Sequence, residues 1–151
     1  MITIIICTYN REKYIRPLLD SIAKNDYPTM DYEIVLVDNN CTDNTHGVCE
    51  QFAVAHPELT LRYVVEPEQG LSAARNKGIK EAQGDIIIYV DDDALVDADY
   101  IRQYAEHFAA HPEMVLGEFA EENTQYGRQE VTVKPIEGAD LTVQLSDAME
   151  H

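Results

Sequence analysis

Short apolar runs alternate with longer segments of helical periodicity along most of the chain. Residues 85–90, Asp-Ile-Ile-Ile-Tyr-Val, are rich in β-branched side chains and follow a Gln-Gly pair, so they predict a buried parallel strand. The apolar residues 2–7 have the same character, whereas residues 59–65 alternate enough to predict a strand near a sheet edge. The predicted strands are residues 2–7, 32–37, 59–65 and 85–90.

The segments between these runs carry apolar residues at the three- and four-residue spacing of an amphipathic helix. In the first of them, Pro17 predicts a helix that either begins near Ile15 or is kinked. Asp97 or Asp99 is expected to cap the last helix. The predicted helices are residues 11–24, 43–55, 71–83 and 100–110.

Strands that alternate with helices in this order predict an α/β fold with a parallel sheet and right-handed crossovers. Beyond about residue 112 the pattern weakens, although residues 114–119 indicate a further strand. Residues 130–133 and 141–145 predict a short hairpin. We therefore expect one core over residues 1–118 and a separate carboxyl-terminal tail over residues 119–151.

Composition narrows the classes of partner. The 151 residues are 45% hydrophobic and 26% charged, which is typical of a single globular domain. A net charge of −17 argues against nucleic acid or an anionic membrane as a partner, and a nucleotide would need local cations or a metal.

The three cysteines Cys7, Cys41 and Cys49 are odd in number and form no CxxC pair, which predicts reduced thiols in a cytoplasmic protein. No segment predicts a membrane span.

Several common phosphate and metal motifs are missing from the sequence. No GxGxxG follows the first predicted strand, and no GxxxxGK[ST] occurs, which argues against dinucleotide and P-loop sites. A calcium loop that began at Asp91 would place Leu95 and Val96 where an oxygen ligand and a glycine are required. The histidines lack the HExxH spacing of zinc hydrolases.

Polar segments follow three of the predicted strands and a fourth opens the third predicted helix. The adjacent carboxylates of Asp91, Asp92 and Asp93 repel one another, and a bound cation or a row of donors would relieve that repulsion. Because parallel strands end at one edge of a sheet, where ligands bind in α/β folds, we expect the four segments to converge there. This convergence predicts a divalent metal that holds an anionic, diphosphate-bearing ligand. The segments are residues 8–10, 38–39, 70–76 and 91–93.

The same segments resemble a known family. Cys-Thr-Tyr-Asn-Arg, Val-Asp-Asn-Asn-Cys-Thr-Asp-Asn-Thr, Gly-Leu-Ser-Ala-Ala-Arg-Asn-Lys-Gly-Ile and Tyr-Val-Asp-Asp-Asp-Ala resemble, in order and spacing, motifs of the inverting nucleotide-sugar glycosyltransferases of family two. The resemblance covers residues 2–115 and places Cys41 where the family often has serine. It implies a Rossmann-like GT-A three-layer sandwich with a mostly parallel central sheet, and a donor-binding core over residues 1–118.

The resemblance also implies roles for individual residues. Thr8 and Tyr9 would border the nucleotide base, and Asp38 would accept a hydrogen bond from an imide of that base or from a ribose hydroxyl. Arg75 would offset the charge of the diphosphate. Asp93, with Asp91 or Asp92, would bind Mg²⁺ or Mn²⁺. The implied nucleotide-binding residues are Thr8, Tyr9, Asn10, Asp38, Asn39, Arg75, Asn76, Asp91 and Asp92.

On this interpretation the chain transfers a sugar, with inversion, from a nucleoside-diphosphate sugar to the hydroxyl of an acceptor saccharide or lipid-linked saccharide. A UDP-sugar is the first expectation for the donor. The family's catalytic base lies in the carboxyl-terminal half, and no such residue is assigned here. Glu118, Glu121 and Glu122 are more simply explained as a solvated loop. The sequence also predicts a homodimer that pairs through an incomplete sheet edge.

The alternatives belong to other classes of protein. Taken singly, Asp38 is explained as a turn or cap residue, Tyr9 as a packing residue and Arg75 as part of a salt-bridged helix face. The second hypothesis is a truncated or diverged nucleotide-binding module without transferase activity. A response-regulator-like acidic pocket is third, but it requires acidic residues where the chain has Cys7-Thr8-Tyr9-Asn10.

Overall fold

The isoleucine- and valine-rich runs form the four parallel strands of a mixed sheet, because β-branched side chains pack well on a pleated surface. The computed structural model describes residues 1–110, 121–124 and 127–133. The strands are β1 (Ile2–Thr8), β2 (Tyr32–Asp38), β3 (Leu61–Val65), β4 (Ile86–Val90), β5 (Glu121–Thr124) and β6 (Gly127–Val133). Their order in the sheet is β3-β2-β1-β4-β6-β5, and the last two strands are antiparallel to their neighbours.

Helices cover both faces of the parallel part of the sheet, which makes three layers. The helices are α1 (Glu12–Ala23), α2 (Thr45–Ala55), α3 (Leu71–Glu81) and α4 (Tyr100–Ala110), with a 3₁₀ turn at Thr29–Asp31. Successive strand residues point to opposite faces, so Ile4 belongs to the core formed with α1, α2 and α4, while its neighbour Ile5 belongs to the core formed with α3. The helix α3 lies close to β1, since a Cβ added to Gly78 would stand 2.6 Å from Ile5 Cγ2.

The predicted α/β class, the four parallel strands and the four helices are confirmed. Of the two alternatives for the first helix, a start near Ile15 is wrong, because α1 begins at Glu12 and continues through Pro17. A proline removes one backbone donor, and the packing of the apolar face of α1 against the sheet outweighs that loss. At the start of α4, Asn25 Oδ1 accepts the Ile101 N–H at 2.9 Å, so an acceptor from another segment serves that end.

The hairpin at the end of the described chain differs from the prediction. The strand β6 contains residues 130–133 but pairs with β5 on one side and with β4 on the other. Residues 114–119 and 141–145, expected as strands, lie outside the described residues, and the domain boundary at residue 118 stays a prediction. None of the described helices has both the length and the hydropathy needed to cross a bilayer.

Candidate functional site

The carboxyl ends of β1 and β4 and the start of α3 enclose an open cleft of about 480 Å³. The sheet brings these ends together because its strands are parallel. Asn76 lines a second, adjoining cleft at the start of α3, whereas Asn10 and Asp38 line neither. Of the ten predicted site residues, seven line the cleft: Thr8, Tyr9, Asn39, Arg75, Asp91, Asp92 and Asp93.

The acidic triplet forms one wall of the cleft. Asp92 Oδ2 accepts a hydrogen bond from the Thr8 hydroxyl at 3.0 Å, which joins the end of β1 to the end of β4. Burial raises the pKa of the Asp92 carboxyl above its ordinary value, and the hydrogen bond from Thr8 and the charge of Arg11 offset only part of that effect. The neighbouring Asp93 is half exposed. The triplet therefore combines one partly buried carboxyl with one that faces water.

Arg11 is a charged residue of the cleft that was not among the predicted site residues. Its Nη1 atom lies 3.0 Å from Asp93 Oδ2 and 3.6 Å from Asp92 Oδ1. The signal was present, because Arg11 directly follows the predicted polar segment of residues 8–10.

Arg75 supplies a second cationic group, from the first turns of α3. Its side chain is 5% exposed, and its guanidinium carbon stands 5.4 Å from the centre of the Tyr89 ring. Stacking of this kind orients a guanidinium and lowers the cost of its burial. Arg75 and Arg11 thus place positive charge in the cleft of a chain whose net charge is −17.

Asp38, the predicted contact for the nucleotide base, accepts hydrogen bonds from other protein groups at both of its carboxylate oxygens. Its Oδ1 atom accepts the Cys41 N–H at 2.6 Å, and its Oδ2 atom accepts the Tyr63 hydroxyl. Burial and the hydrogen bond to Asp38 raise the pKa of the Tyr63 phenol, so Tyr63 remains a donor. In this arrangement Asp38 stabilises the turn after β2, and its contact with a nucleotide stays a prediction.

Asn10 also joins loops rather than lining the cleft. It adopts a positive φ of 52°, a conformation that asparagine tolerates better than most residues. Its Oδ1 atom accepts the Thr42 N–H at 2.7 Å, and its own N–H donates to Cys41 Sγ at 3.4 Å. The loops after β1 and β2 are therefore bound to each other.

Two observations bear on catalysis and metal binding. Burial raises the pKa of the Cys7 thiol to about 12, so the thiolate is scarce at neutral pH and Cys7 is a poor nucleophile. Among the described residues, no group of three or more His, Cys, Asp or Glu side chains is placed to hold a metal. However, one nitrogen of Arg11 approaches carboxylate oxygens of both Asp92 and Asp93, so the two side chains can face a single cation. This donor set fits Mg²⁺ or Mn²⁺ that takes its remaining oxygens from a diphosphate.

Comparison with known proteins identifies relatives. Residues 3–140 match the family model described as Glycosyl transferase family 2. The chain is 32% identical over 114 residues to the poly(ribitol-phosphate) β-N-acetylglucosaminyltransferase TarS of Staphylococcus aureus, which is 76% of this chain and 20% of TarS. It is 36% identical over 100 residues to the glycosyltransferase GlyA of Streptococcus pneumoniae, which is 66% of this chain and 14% of GlyA.

Solved structures share the fold. A structure of Staphylococcus aureus TarS in complex with UDP-GlcNAc matches with a TM-score of 0.67 and 32% identity, over 74% of this chain and 32% of that one. A mannosyltransferase of Pyrobaculum calidifontis in complex with GDP-Man and Mn²⁺ matches with a TM-score of 0.73 and 28% identity, over 86% and 43%. The chain thus spans less than half of these relatives. By its family-model match and its identity to these proteins, the chain belongs to glycosyl transferase family 2.

Proposed function

We propose that the cleft binds a nucleoside-diphosphate sugar and that the chain supplies the donor half of an inverting glycosyltransferase. The observation that carries the proposal is the arrangement of one acidic wall, a buried guanidinium and an exposed tyrosine around one cleft in a family 2 chain. Relatives were solved with UDP-GlcNAc and with GDP-Man, which supports a nucleotide-sugar donor. The acceptor is the hydroxyl of a saccharide or a lipid-linked saccharide.

Each side of the cleft has a task under this proposal. Tyr9, 51% exposed, offers its ring to the base, and the buried Thr8 borders the same end. Arg75 faces the diphosphate, whose charge it offsets. Asp93, with Asp91 or Asp92 beside it, would hold Mg²⁺ or Mn²⁺. The metal, when bound, stabilises the departing nucleoside diphosphate as a Lewis acid.

Calorimetry tests the donor half directly. UDP, GDP and dTDP are titrated into the protein with and without Mn²⁺, and we expect metal-dependent binding of one nucleotide, with UDP as the first candidate. The Asp93→Asn variant should lose that binding. Asp85→Asn is the matched control, because Asp85 is an exposed carboxylate at the opposite end of the same strand. Binding that is independent of metal, or equal losses in both variants, would refute the metal assignment.

A nucleotide-binding module without transferase activity is the second candidate. It remains an alternative because no catalytic base is assigned among the described residues, whereas the cleft of both candidates is the same. The two candidates differ in turnover. A transferase releases nucleoside diphosphate from a sugar donor when an acceptor is added, and Asp93→Asn abolishes the release. A binding module binds the nucleotide but does not form nucleoside diphosphate from the sugar donor.

A further inference from the structure

Asn39 is a buried amide at the end of β2, and its side-chain hydrogen bonds all run to the loop before α3. Its side-chain Nδ2 donates to the carbonyl oxygens of Glu66 and Glu68 at 2.9 and 2.8 Å. Its Oδ1 accepts the Gly70 N–H at 2.9 Å and the Gln69 Nε2 at 3.3 Å. An amide side chain has two N–H donors and two acceptor lone pairs, so the whole capacity of Asn39 is used within the protein.

The loop that Asn39 binds forms a wall of the cleft. Gln69, Gly70 and Leu71 line it, and Leu71 is also the first residue of α3. Gly70 has a φ of 137°, which L side chains rarely adopt, so this backbone depends on glycine and on the contact that holds its N–H. Arg75 lies one turn further along α3 and reaches the cleft from there. The position of Gly70 therefore affects both the wall and the guanidinium.

We propose that Asn39 is a positioning residue, which sets the loop and the start of α3 for nucleotide binding without hydrogen-bonding to the nucleotide itself. The inference rests on the proposed nucleotide binding and revises the role expected from the sequence, where Asn39 assists in contacting the ligand. A buried amide with every polar atom satisfied has no free group for a ligand, and breaking its bonds leaves polar atoms of the loop unpaired.

The neighbouring asparagine offers a matched control. Asn40 also donates to this loop, but it is more exposed, and these side-chain bonds go to Pro67 O at 2.8 Å and Gln69 Oε1 at 3.1 Å rather than to Gly70. Asn40 has a φ of 69°, which aspartate tolerates, so Asn40→Asp keeps the backbone. The variants Asn39→Asp and Asn40→Asp then make the same chemical change at adjacent positions.

The first measurement is calorimetry of the nucleotide that the unmodified chain binds, in the presence of Mn²⁺. Asn39→Asp should weaken binding about tenfold, because its carboxylate faces two carbonyl oxygens, and Asn40→Asp should stay within about threefold. Asn39→Ala, which adds no charge, should show the same loss as Asn39→Asp. A loss in Asn39→Asp without one in Asn39→Ala would be charge repulsion and would overturn the proposal.

The second measurement is amide hydrogen exchange, which reports on the loop without any ligand. In the unmodified chain the Gly70 amide should exchange slowly, and in Asn39→Ala it should exchange at least about tenfold faster while the thermal midpoint shows that the domain is folded. If Asn39→Ala folds and its Gly70 amide exchanges as slowly as in the unmodified chain, the proposal is refuted. If Asn39→Ala does not fold, the unmodified chain decides, and rapid exchange of its Gly70 amide would refute the proposal. Failure of the unmodified chain to bind any nucleotide would instead refute the proposed function on which the inference rests.

Discussion

Replacement of Glu33 by glutamine should destabilise the domain, because Glu33 joins several strands at the end of the sheet opposite the cleft. The Glu33 side chain is 1% exposed. Its Oε2 accepts the Thr3 hydroxyl and the Gln83 N–H, both at 2.7 Å, while its Oε1 accepts Arg62 Nε at 3.0 Å. This carboxylate therefore joins β1, β2, β3 and the segment before β4. Glu33→Gln keeps the shape of the side chain and changes only its hydrogen-bonding character.

The magnitude follows from the donors around Glu33. A glutamine must point its NH₂ group either at Arg62 or at Thr3 and Gln83, and in both orientations a donor meets donors. Hydrogen bonds to a charged group contribute about 1.5–3 kcal/mol each, and removing one partner of a buried ion pair costs about 3–5 kcal/mol. Arg62 retains Glu81 at 3.4 Å as a partner, which places the expected loss at the lower limit, about 3 kcal/mol.

The pH dependence has a definite sign. Burial by itself raises the pKa of Glu33, but the hydrogen bonds from Gln83, Thr3 and Arg62 outweigh it and hold the pKa below its ordinary value of 4.5. A carboxyl whose folded pKa is depressed contributes stability above its unfolded pKa, and that contribution is lost as the pH falls through the folded value. The difference between the unmodified protein and Glu33→Gln should therefore shrink below pH 4.5.

Urea unfolding, followed by circular dichroism at neutral pH and at a series of lower pH values, measures these effects. Glu81→Gln is the matched control: Glu81 pairs with the same arginine but its side chain is 34% exposed, so its loss should cost less than about 1 kcal/mol. Equal destabilisation by Glu33→Gln and Glu81→Gln would refute the argument from burial. A difference that grew as the pH fell would refute the assignment of the depressed pKa.

Three further predictions concern other contacts. Arg11→Gln should tighten Mn²⁺ binding to the nucleotide-free protein about fivefold, because it removes a positive charge 3.0 Å from Asp93. A titration followed by electron paramagnetic resonance measures the affinity for Mn²⁺. Unchanged affinity would show that the Arg11 guanidinium and Mn²⁺ do not compete for Asp93. Gly84→Ala should cost about 1–3 kcal/mol in urea unfolding, since its Cβ would lie 2.6 Å from a backbone oxygen, and a neutral result would contradict that close approach. Tyr63→Phe removes the hydroxyl that binds Asp38 and should cost about 1–2 kcal/mol by the same assay; full stability would mean that Asp38 does not need this donor.

Much of the fold could be predicted because its signals are local. The run before Asp91 is apolar and β-branched over its whole length, which is typical of a strand buried on both faces, and β4 is such a strand. The helix over Tyr100–Ala110 was predicted with its observed bounds, since its apolar residues recur at helical spacing between two clear breaks. The effect of Pro17 on α1 could not be predicted, because the local cost of a proline says nothing about the packing that outweighs it.

The sequence by itself thus determined the class of fold, the family and the edge of the sheet at which the polar segments meet. Those properties follow from the spacing of apolar residues, the order of the elements and the short motifs, all of which can be read from the sequence. Only the tertiary structure decided which polar atoms face the cleft. Arg11 and Asp93 are 82 positions apart in the chain, and Asn39 and Gly70 are 31 apart. Contacts over such separations depend on how elements pack, and a buried polar side chain turns towards whichever partners that packing provides.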